Sequence, residues 1–399
     1  MIKENHSFLS YGRQWVDQDD IDSVTKVLKS DYLTEGPLID EFETTFAKTV
    51  GSNYAIVCSN GTAGLHLASM CLDTNSNTTV LVPAISFVAT ANAPMYTGAN
   101  VEFVDVDPCT GLVSAETLNH AITNSSNRAK VLFYVHLNGI VQDLSEIKNI
   151  CDCHNIMIIE DSCHAIGGSS AGHKIGSCHY SHMNVFSLHP VKTITMGEGG
   201  VITTNSKNYQ RKLKSLRSHG IVKNKNEFLH KNSINTDIYG PWSYEMQLLG
   251  YNYRASALNV ALGLSQLKKL DFFIKRRLEI ALIYDKSFKE ISSKFEPVKR
   301  NDLNFHGYHL YPILIKGKKP LVRKKIIIES LKKNNIGSQV HYIPIPFQPF
   351  WKKNQDFRKF KGAYEYFSRC LSIPIFPAMT DEDVYHVVES LKLAFEEAE

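Results

Sequence analysis

Short apolar segments alternate with helical segments through the first half of this chain, and that alternation limits the possible folds more than any other feature. The predicted strands are residues 54–58, 80–83, 101–104, 130–135, 156–159, 184–187 and 201–204. The predicted helices are residues 17–30, a segment opened by Pro37, and residues 62–68, 87–96 and 144–153. Apolar strands that alternate with helices are typical of a parallel sheet covered on both faces. The sequence therefore predicts an α/β fold with a mostly parallel sheet.

The second half of the chain predicts a smaller unit of the same class. A polar stretch without periodicity, residues 222–245, interrupts the pattern and is typical of a functional lid or an interface segment. It is followed by a long helix at 256–289, a strand at 309–315, a helix at 321–333, a strand at 337–342 and a helix from about Asp381. We place the domain boundary within the long helix. This gives a large domain, residues 1–265, and a smaller C-terminal α/β domain, residues 266–399.

The charge balance of the chain argues against several classes of partner. Its 399 residues include 44 Lys and Arg and 40 Asp and Glu, which are interspersed and give a net charge of +4. We therefore expect no nucleic-acid partner and no membrane association. The first residues, M-I-K-E-N-H-S-F, lack the apolar run of a secretory leader, and the chain has eight cysteines. These features predict reduced thiols and a cytoplasmic location.

One lysine, Lys192, lies in the segment S-L-H-P-V-K-T-I-T-M-G-E-G-G, which runs from Ser187 to Gly200 between two predicted strands. Pro190 and the nearby glycines predict a tight turn there. Burial of an ammonium group is unfavourable unless its pKa falls or the amine is used covalently. The segment has two interpretations. Either Lys192 forms a Schiff base with pyridoxal phosphate, or it belongs to an ordinary surface turn.

A second segment, Ser-Asn-Gly-Thr-Ala at residues 59–63, follows a predicted strand and begins a helix. Free N–H groups at a helix start, the close approach that Gly61 allows and the hydroxyl of Thr62 favour an anion such as phosphate. Turns of small residues are common, so a strand-to-helix connection without a ligand is the alternative.

A third segment, E-D-S-C-H, places Asp161 just after a predicted buried strand. A carboxylate in that position needs a cationic partner, and a protonated pyridine nitrogen would supply one. The alternative is an aspartate that caps a helix. Phe87, at the start of a predicted helix, either stacks on a cofactor ring or belongs to the core.

Cysteines and histidines also occur close together at Cys151-x-Cys153-His154, Cys163-His164 and Cys178-His179. Their spacing does not match the paired C-x₂-C patterns of structural zinc sites. Cys151 and Cys153 lie two positions apart on a predicted helix and so face different directions. We predict no metal site.

Beyond these segments, the chain resembles the DegT/DnrJ/EryC1 family of sugar aminotransferases over nearly its whole length, from about Tyr11 to Val387. The motifs that carry the resemblance are Y-L-T-E-G-P, S-N-G-T-A-G-L, P-A-I-S-F-V-A-T-A-N, V-H-L-N-G, E-D-S-C-H-A-I-G, F-S-L-H-P-V-K-T-I-T-M-G-E-G-G, L-R-S-H-G, L-G-Y-N-Y-R, A-L-G-L-S-Q-L, Q-V-H-Y-I-P-I and S-I-P-I-F-P. The resemblance implies the fold of type I pyridoxal 5'-phosphate (PLP) dependent transferases, with PLP as the cofactor.

The resemblance also implies roles for individual positions. Lys192 would be the catalytic lysine bonded to the cofactor, Asp161 the partner of the pyridine nitrogen, and His164 a neighbour of the phenolic oxygen. Phe87 would stack on the ring. The phosphate would be held by Gly61, Thr62, Ala63 and Ser187, and by Asn252 of a second subunit. Substrate contacts would come from Tyr11, Tyr32, Leu33, Thr34, Gln339, Val340, His341 and Tyr342.

The implied reaction is transfer of an amino group from L-glutamate to C4 of a nucleotide-linked 4-keto-6-deoxy sugar, by a homodimer with shared active sites. The motifs are most similar to the subgroup that acts on UDP-linked sugars in pseudaminic acid biosynthesis. Enzymes that act on GDP- or dTDP-linked sugars are the alternative, followed by a PLP-dependent sugar dehydratase, against which Lys192 argues, or a regulator without turnover. The chain has Ala257 and Asn259 where the family usually has an acidic residue and Gln. That departure concerns dimer contacts rather than the chemistry.

Overall fold

The computed structural model describes residues 7–125, 127–230, 239–301, 303–352 and 356–399. In these ranges the strands are β1 Tyr54–Cys58, β2 Thr79–Pro83, β3 Asn100–Val104, β4 Ala129–Val135, β5 Met157–Asp161, β6 Ser169–Ser170, β7 His173–Lys174, β8 Met183–Ser187, β9 Gly200–Thr204, β10 Ile221–Val222, β11 Glu245–Met246, β12 Phe295–Pro297, β13 Tyr311–Ile315 and β14 Cys370–Ile373.

The α-helices of the same ranges are α1 Gln18–Leu28, α2 Pro37–Val50, α3 Gly61–Cys71, α4 Ala89–Tyr96, α5 Ala115–Asn124, α6 Ser145–His154, α7 Lys207–Arg217, α8 Ala257–Lys268, α9 Leu270–Ser287, α10 Pro320–Lys333, α11 Pro349–Lys352, α12 Lys361–Arg369 and α13 Asp381–Glu397. Within the part of the chain that is described, no helix has both the length and the apolar composition that are needed to cross a membrane.

Seven strands form the central sheet, in the order β1-β9-β8-β5-β4-β2-β3. β9 runs antiparallel to both of its neighbours, and the other pairs are parallel. The predicted α/β fold with a mostly parallel sheet is therefore confirmed. Because the carboxyl ends of parallel strands meet at one edge, the loops after β1, β2, β4, β5 and β8 lie together. The antiparallel β9 begins at that edge, since Gly200 pairs with both Cys58 and Ser187.

The burial of the sheet follows from its sequence. Every residue of β2 and of β9 is buried, as expected for apolar strands that helices cover. α2 packs against β1, and α3 packs against β8 and β9. α3 is apolar around most of its circumference and is buried along most of its length. This packing fixes the start of α3, and with it residues 59–63, relative to the edge of the sheet.

A three-stranded antiparallel sheet, β12-β13-β14, forms the smaller C-terminal unit together with α10, α12 and α13. α9 connects the two units. Its Phe273 and Ile274 pack in the core cluster that contains residues of α2 and β1, whereas Ile280 and Tyr284 pack with the C-terminal sheet. The division of the chain between residues 265 and 266 stays a prediction.

Two predicted elements are wrong. Residues 337–342 do not form a strand, although Gln339 makes an isolated bridge to Ser372 of β14. The chain then reaches Pro344 and Pro346, which cannot donate to a strand ladder. The single helix predicted at 256–289 is two helices, α8 and α9. They meet at Lys269, whose φ of −98° and ψ of 0° depart from helical values.

The predicted polar loop at 222–245 falls partly outside the described residues, because residues 231–238 are not among them. Its described ends form the short antiparallel hairpin of β10 and β11. The carboxylate of Glu245 accepts the N–H groups of Leu229 and His230 and the hydroxyl of Tyr239. One side chain thus organises both ends of the segment.

Candidate active site

A cavity of about 1010 Å³ lies at the edge of the sheet where β1, β2, β5 and β8 end. The predicted cofactor positions that line it are Gly61, Thr62, Ala63, Phe87, Asp161, His164, Ser187 and Lys192. The predicted substrate positions that line it are Tyr11, Gln339, Val340, His341 and Tyr342. A cavity of this size can enclose a small-molecule ligand. The fold therefore brings together residues that are far apart in sequence.

Lys192 lies on a turn that its own backbone helps to close, since its N–H donates to the carbonyl of His189 at 2.9 Å. Burial lowers the pKa of the Lys192 amine, and the Cys163 thiol and the Asp161 carboxylate act in the opposite direction. Lys192 lines the cavity, so the interpretation as an ordinary surface turn is wrong. Because burial disfavours the ammonium form, this amine loses its proton more readily than the amine of a free lysine.

Asp161 ends β5 and is 5% exposed. Its Oδ2 accepts the hydroxyl of Thr90 at 2.7 Å, and its Oδ1 accepts the N–H of Cys163 at 3.2 Å. Turns, not a helix, connect β5 to β6, so the alternative of a helix cap is wrong. The carboxylate lines the cavity in a fixed orientation, where it can face a cationic group of a ligand.

The start of α3 offers donors for an anion. Asn60 caps this helix, because its Oδ1 accepts the N–H of Ala63 at 2.8 Å. In the described part of the chain, the N–H groups of Gly61 and Thr62 have no acceptor, and free amides at a helix start favour an anion. Ser187 lies beside them, since a Cβ on Gly61 would come within 2.8 Å of the Ser187 Cβ. The N–H of Ala63 is not free for an anion, because it donates to Asn60 Oδ1.

His164 is held as a neutral ring. Burial, and then the neighbouring Lys192 and His341, hold the pKa of His164 well below its usual range. Its Nδ1 accepts the N–H of Asn138 at 3.2 Å, so the ring proton belongs on Nε2. That nitrogen lies 3.4 Å from the hydroxyl of Tyr342. The cavity thus has an oriented N–H donor beside a tyrosine hydroxyl.

Aromatic side chains form another wall of the cavity. Phe87 precedes α4 and is 56% exposed, so the interpretation as a core residue is wrong. Its ring centroid lies 6.1 Å from that of Tyr342. Tyr11 enters from the N-terminal segment, and its ring centroid lies 5.4 Å from that of His341. These rings provide apolar surface for a planar or sugar-like ligand.

Four predicted positions do not line the cavity: Asn252 and the turn of Tyr32, Leu33 and Thr34. Tyr32 is 58% exposed and Leu33 is 45% exposed. The carbonyl of Leu33 accepts the N–H of Ala257 at 3.0 Å, which places this turn beside the start of α8.

Asn252 is exposed and lies in an extended segment that bridges to Ser218. The rings of its neighbours Tyr251 and Tyr253 both pack against His66. Because successive side chains of an extended segment alternate in direction, the side chain of Asn252 points away from His66 and from the core of its own chain.

The cavity also contains residues that the sequence interpretation did not single out: Ser86, Thr90, His189, Glu198, Tyr253 and Gln348. Thr90 is the clearest of them, because it donates to Asp161. Ser86 precedes α4 and Thr90 lies in its first turn, and their hydroxyl oxygens are 2.7 Å apart. Helical spacing does not reveal this pair, because Ser86 lies outside the helix.

These groups fit PLP as a set. A buried amine suits its aldehyde, a buried carboxylate suits its pyridine nitrogen, and the amides and hydroxyls at the start of α3 suit its phosphate. Across the described ranges, no group of three or more His, Cys, Asp or Glu side chains is placed to hold a metal ion. The eight cysteines are all free thiols.

Known proteins share both the sequence pattern and the fold. The model of the DegT/DnrJ/EryC1/StrS aminotransferase family matches residues 14–392. A Campylobacter jejuni protein named UDP-4-amino-4,6-dideoxy-N-acetyl-beta-L-altrosamine transaminase is 36% identical over 383 residues, which are 96% of each chain.

Two solved structures are also similar. Helicobacter pylori PseC, described as an aminotransferase involved in the biosynthesis of pseudoaminic acid, has a TM-score of 0.88 at 30% identity, over 98% of this chain and 100% of its own. The PLP form of Spr1654, a putative sugar aminotransferase from Streptococcus pneumoniae, has a TM-score of 0.87 at 25% identity, over 98% and 100% of the two chains. This chain belongs to the DegT/DnrJ/EryC1/StrS aminotransferase family.

Proposed function

We propose that this protein is a PLP-dependent aminotransferase that converts a nucleotide-linked 4-keto-6-deoxy sugar to the 4-amino sugar. The observation that carries the proposal is a single cavity in which the amine of Lys192 lies with the carboxylate of Asp161 and the free amides that precede Ala63. PLP has an aldehyde, a pyridine nitrogen and a phosphate, and each of these groups has a complementary group in the cavity.

Bound PLP supplies an aldehyde that bonds to amines and a ring that withdraws electrons from the carbon next to the amine. Lys192 Nζ would be the group that holds that aldehyde. Its lowered pKa would also suit it to accept a proton from Cα of the amino donor. Asp161 would hold a proton on the pyridine nitrogen. His164, which its surroundings keep neutral, would offer its Nε2–H to the phenolic oxygen.

The proposed acceptor is a UDP-linked 4-keto sugar, and the proposed donor is L-glutamate. The name of the C. jejuni relative supports a UDP-linked sugar, and the description of PseC supports a role in pseudaminic acid biosynthesis. Neither of these two names supports the alternatives, GDP- or dTDP-linked sugars. Lys192 distinguishes the protein from a dehydratase that has no lysine bonded to its cofactor. The cytoplasmic location stays a prediction.

A homodimer with shared active sites is part of the proposal. Asn252 and the turn at residues 32–34 are exposed in one chain and lie outside its own cavity. Large apolar side chains in the ten residues before Asn252 are exposed as well, including Trp242 at 72% and Leu249 at 75%. Such surface is typical of an interface. An obligate dimer should bury more than about 2,000 Å² in total.

The test is an assay of the purified protein with PLP, L-glutamate and 4-keto-6-deoxy sugars linked to UDP, GDP or dTDP. Formation of 2-oxoglutarate is followed, and the sugar product is identified by mass spectrometry. We expect the largest kcat/KM with a UDP-linked sugar and no turnover with Lys192→Ala as the matched control. If the protein binds PLP but forms no 2-oxoglutarate with any of the sugars, the proposed function is wrong.

A further inference from the structure

Thr90 makes a hydrogen bond that differs from those of Thr45, Ser69 and Thr123 in other helices. Threonine and serine inside a helix commonly bond to the carbonyl four residues earlier. Thr45, Ser69 and Thr123 do so, with distances of 2.8 to 2.9 Å. The hydroxyl of Thr90 instead donates to Oδ2 of Asp161 at 2.7 Å, across 71 residues of sequence. This contact therefore serves Asp161 rather than the helix.

A second hydroxyl continues the chain of hydrogen bonds. Ser86 Oγ lies 2.7 Å from Thr90 Oγ1. An ionised carboxylate only accepts hydrogen bonds, so the single hydroxyl proton of Thr90 is directed to Asp161. Ser86 is then the donor to Thr90. Both residues are buried, Ser86 at 3% and Thr90 at 0% exposure, and neither hydroxyl caps α4, whose N-cap Val88 has no side-chain hydrogen bond.

The geometry points to a positioning role for the pair, and we propose that Ser86 and Thr90 hold Asp161 as an oriented carboxylate for the pyridine nitrogen of PLP. This inference rests on the proposed function. Phe87 lies between the two hydroxyl residues in sequence and faces the cavity. Residues 86–90 thus contribute the Phe87 ring to the cavity wall and two hydroxyls to the hydrogen bonds that hold the Asp161 carboxylate. Hydrogen bonds in series strengthen one another when they are buried.

The first test measures PLP binding without turnover. In a Lys192→Ala background PLP binds non-covalently, and its dissociation constant reports the contact with Asp161. Addition of Thr90→Val, which keeps the shape but removes the hydroxyl, should raise that constant about ten-fold or more, because a hydrogen bond to a charged group is lost. Thr90→Ser should stay within about two-fold of the parent, and Ser86→Ala should raise the constant about three-fold.

The second test separates positioning from general destabilisation. With Lys192 present, Thr90→Val should lower kcat about ten-fold while each KM changes less than about two-fold. Thr203→Val is the matched control. Its buried hydroxyl donates to the carbonyl of Gly176 at 2.7 Å, and Thr203 does not line the cavity. That variant should lower thermal stability and leave kcat and PLP affinity unchanged.

The outcomes distinguish this inference from the proposed function. If the wild-type protein does not bind PLP, both are wrong. If the wild-type protein binds PLP and turns over, but Thr90→Val matches it in PLP affinity and kcat, only the positioning role is wrong. If Thr90→Val does not fold, Ser86→Ala decides, and an unchanged PLP affinity in that variant overturns the proposal.

Discussion

The two groups of predicted site residues differ in burial and in whether they line the cavity of one chain. The Asp161 carboxylate is buried and has defined partners, the Lys192 amine lies in the same cavity with a lowered pKa, and the neutral His164 lies beside them. Asn252 and the turn at residues 32–34 are exposed and lie outside the cavity. We propose from this difference that the covalent chemistry is arranged within one chain and that a second chain completes the phosphate and substrate side.

The phosphate side supports this inference. A phosphate has three strong acceptor oxygens. The start of α3 offers the amides of Gly61 and Thr62 together with nearby hydroxyls, because the amide of Ala63 is used by Asn60. A bound phosphate would therefore have oxygen atoms that can still accept a hydrogen bond from a donor outside the start of α3. We propose that the side-chain amide of Asn252 of a second chain is such a donor, because it points away from the core of its own chain.

The largest expected effect is that of Lys192→Ala, which removes the proposed covalent anchor and the proposed proton acceptor together. We expect kcat to fall by at least about 10⁴-fold, while PLP still binds non-covalently because Asp161 and the start of α3 are intact. Single-turnover reaction with L-glutamate measures the loss. Wild-type rates in this variant would remove the basis for assigning the chemistry to this side of the site.

Asp161→Asn tests the carboxylate on the same side. The variant keeps the shape but cannot pair with a protonated pyridine nitrogen. Loss of a buried charge partner costs about 3–5 kcal/mol, which corresponds to roughly 10² to 10³ in rate. The measurement is kcat of the complete reaction with both substrates at saturating concentration. A kcat within a few-fold of wild type would mean that Asp161 has only a structural role.

The other side of the comparison is tested by mixing two inactive variants. Asn252→Asp places a negative charge beside the proposed phosphate position, and like charges in contact cost several kcal/mol. If sites are shared, a dimer of one Lys192→Ala chain and one Asn252→Asp chain has one intact site. About one quarter of all sites in an equal mixture should then become active. No recovery after verified exchange of subunits would mean that both residues serve the same site from one chain.

The smallest expected effect is on stability, through His341. Burial, with Lys192 acting in the same direction, lowers the pKa of His341 to about 3, whereas an unfolded chain has a pKa near 6.5. The unfolded chain therefore binds more protons between these values, and the folded state loses stability as pH falls. Between pH 7 and pH 5 this linkage amounts to about 2 kcal/mol.

Chemical denaturation at the two pH values checks this prediction. His341→Gln should show a pH-dependent loss of stability that is smaller by about that amount. The same substitution at the exposed His154 is the control and should match wild type. Equal pH dependence in all three proteins would contradict the account of a buried neutral ring.

Much of the fold could be predicted because periodicity and turn residues are local signals. The strand that ends at Asp161, the turn of Lys192 and the helix start after Asn60 lie within a residue or two of their predicted places. Their convergence also follows from sequence, since parallel strands end at one edge. The false strand at 337–342 shows the limit of this approach, because Gln339 makes only an isolated bridge to Ser372 and residues 339–342 line the cavity instead of pairing in a sheet.

The parts that could not be predicted depend on contacts between distant residues. The bond from Thr90 to Asp161 spans 71 positions, and no local pattern reveals which hydroxyl donates to which carboxylate. The neutral state of His164 likewise depends on Asn138 and on burial by other elements. The break at Lys269 has no proline or glycine to mark it. Its position is a property of tertiary packing.

The central claim is that Lys192 is the residue that bonds to PLP, and reduction followed by peptide mapping tests it most directly. The protein is loaded with PLP, reduced with borohydride, digested and analysed by mass spectrometry. We expect one pyridoxyl phosphate group per chain, on the peptide that contains Lys192, and no label in the same peptide of Lys192→Ala. Stoichiometric label on a different lysine, or no label on a protein that turns over, would contradict the account.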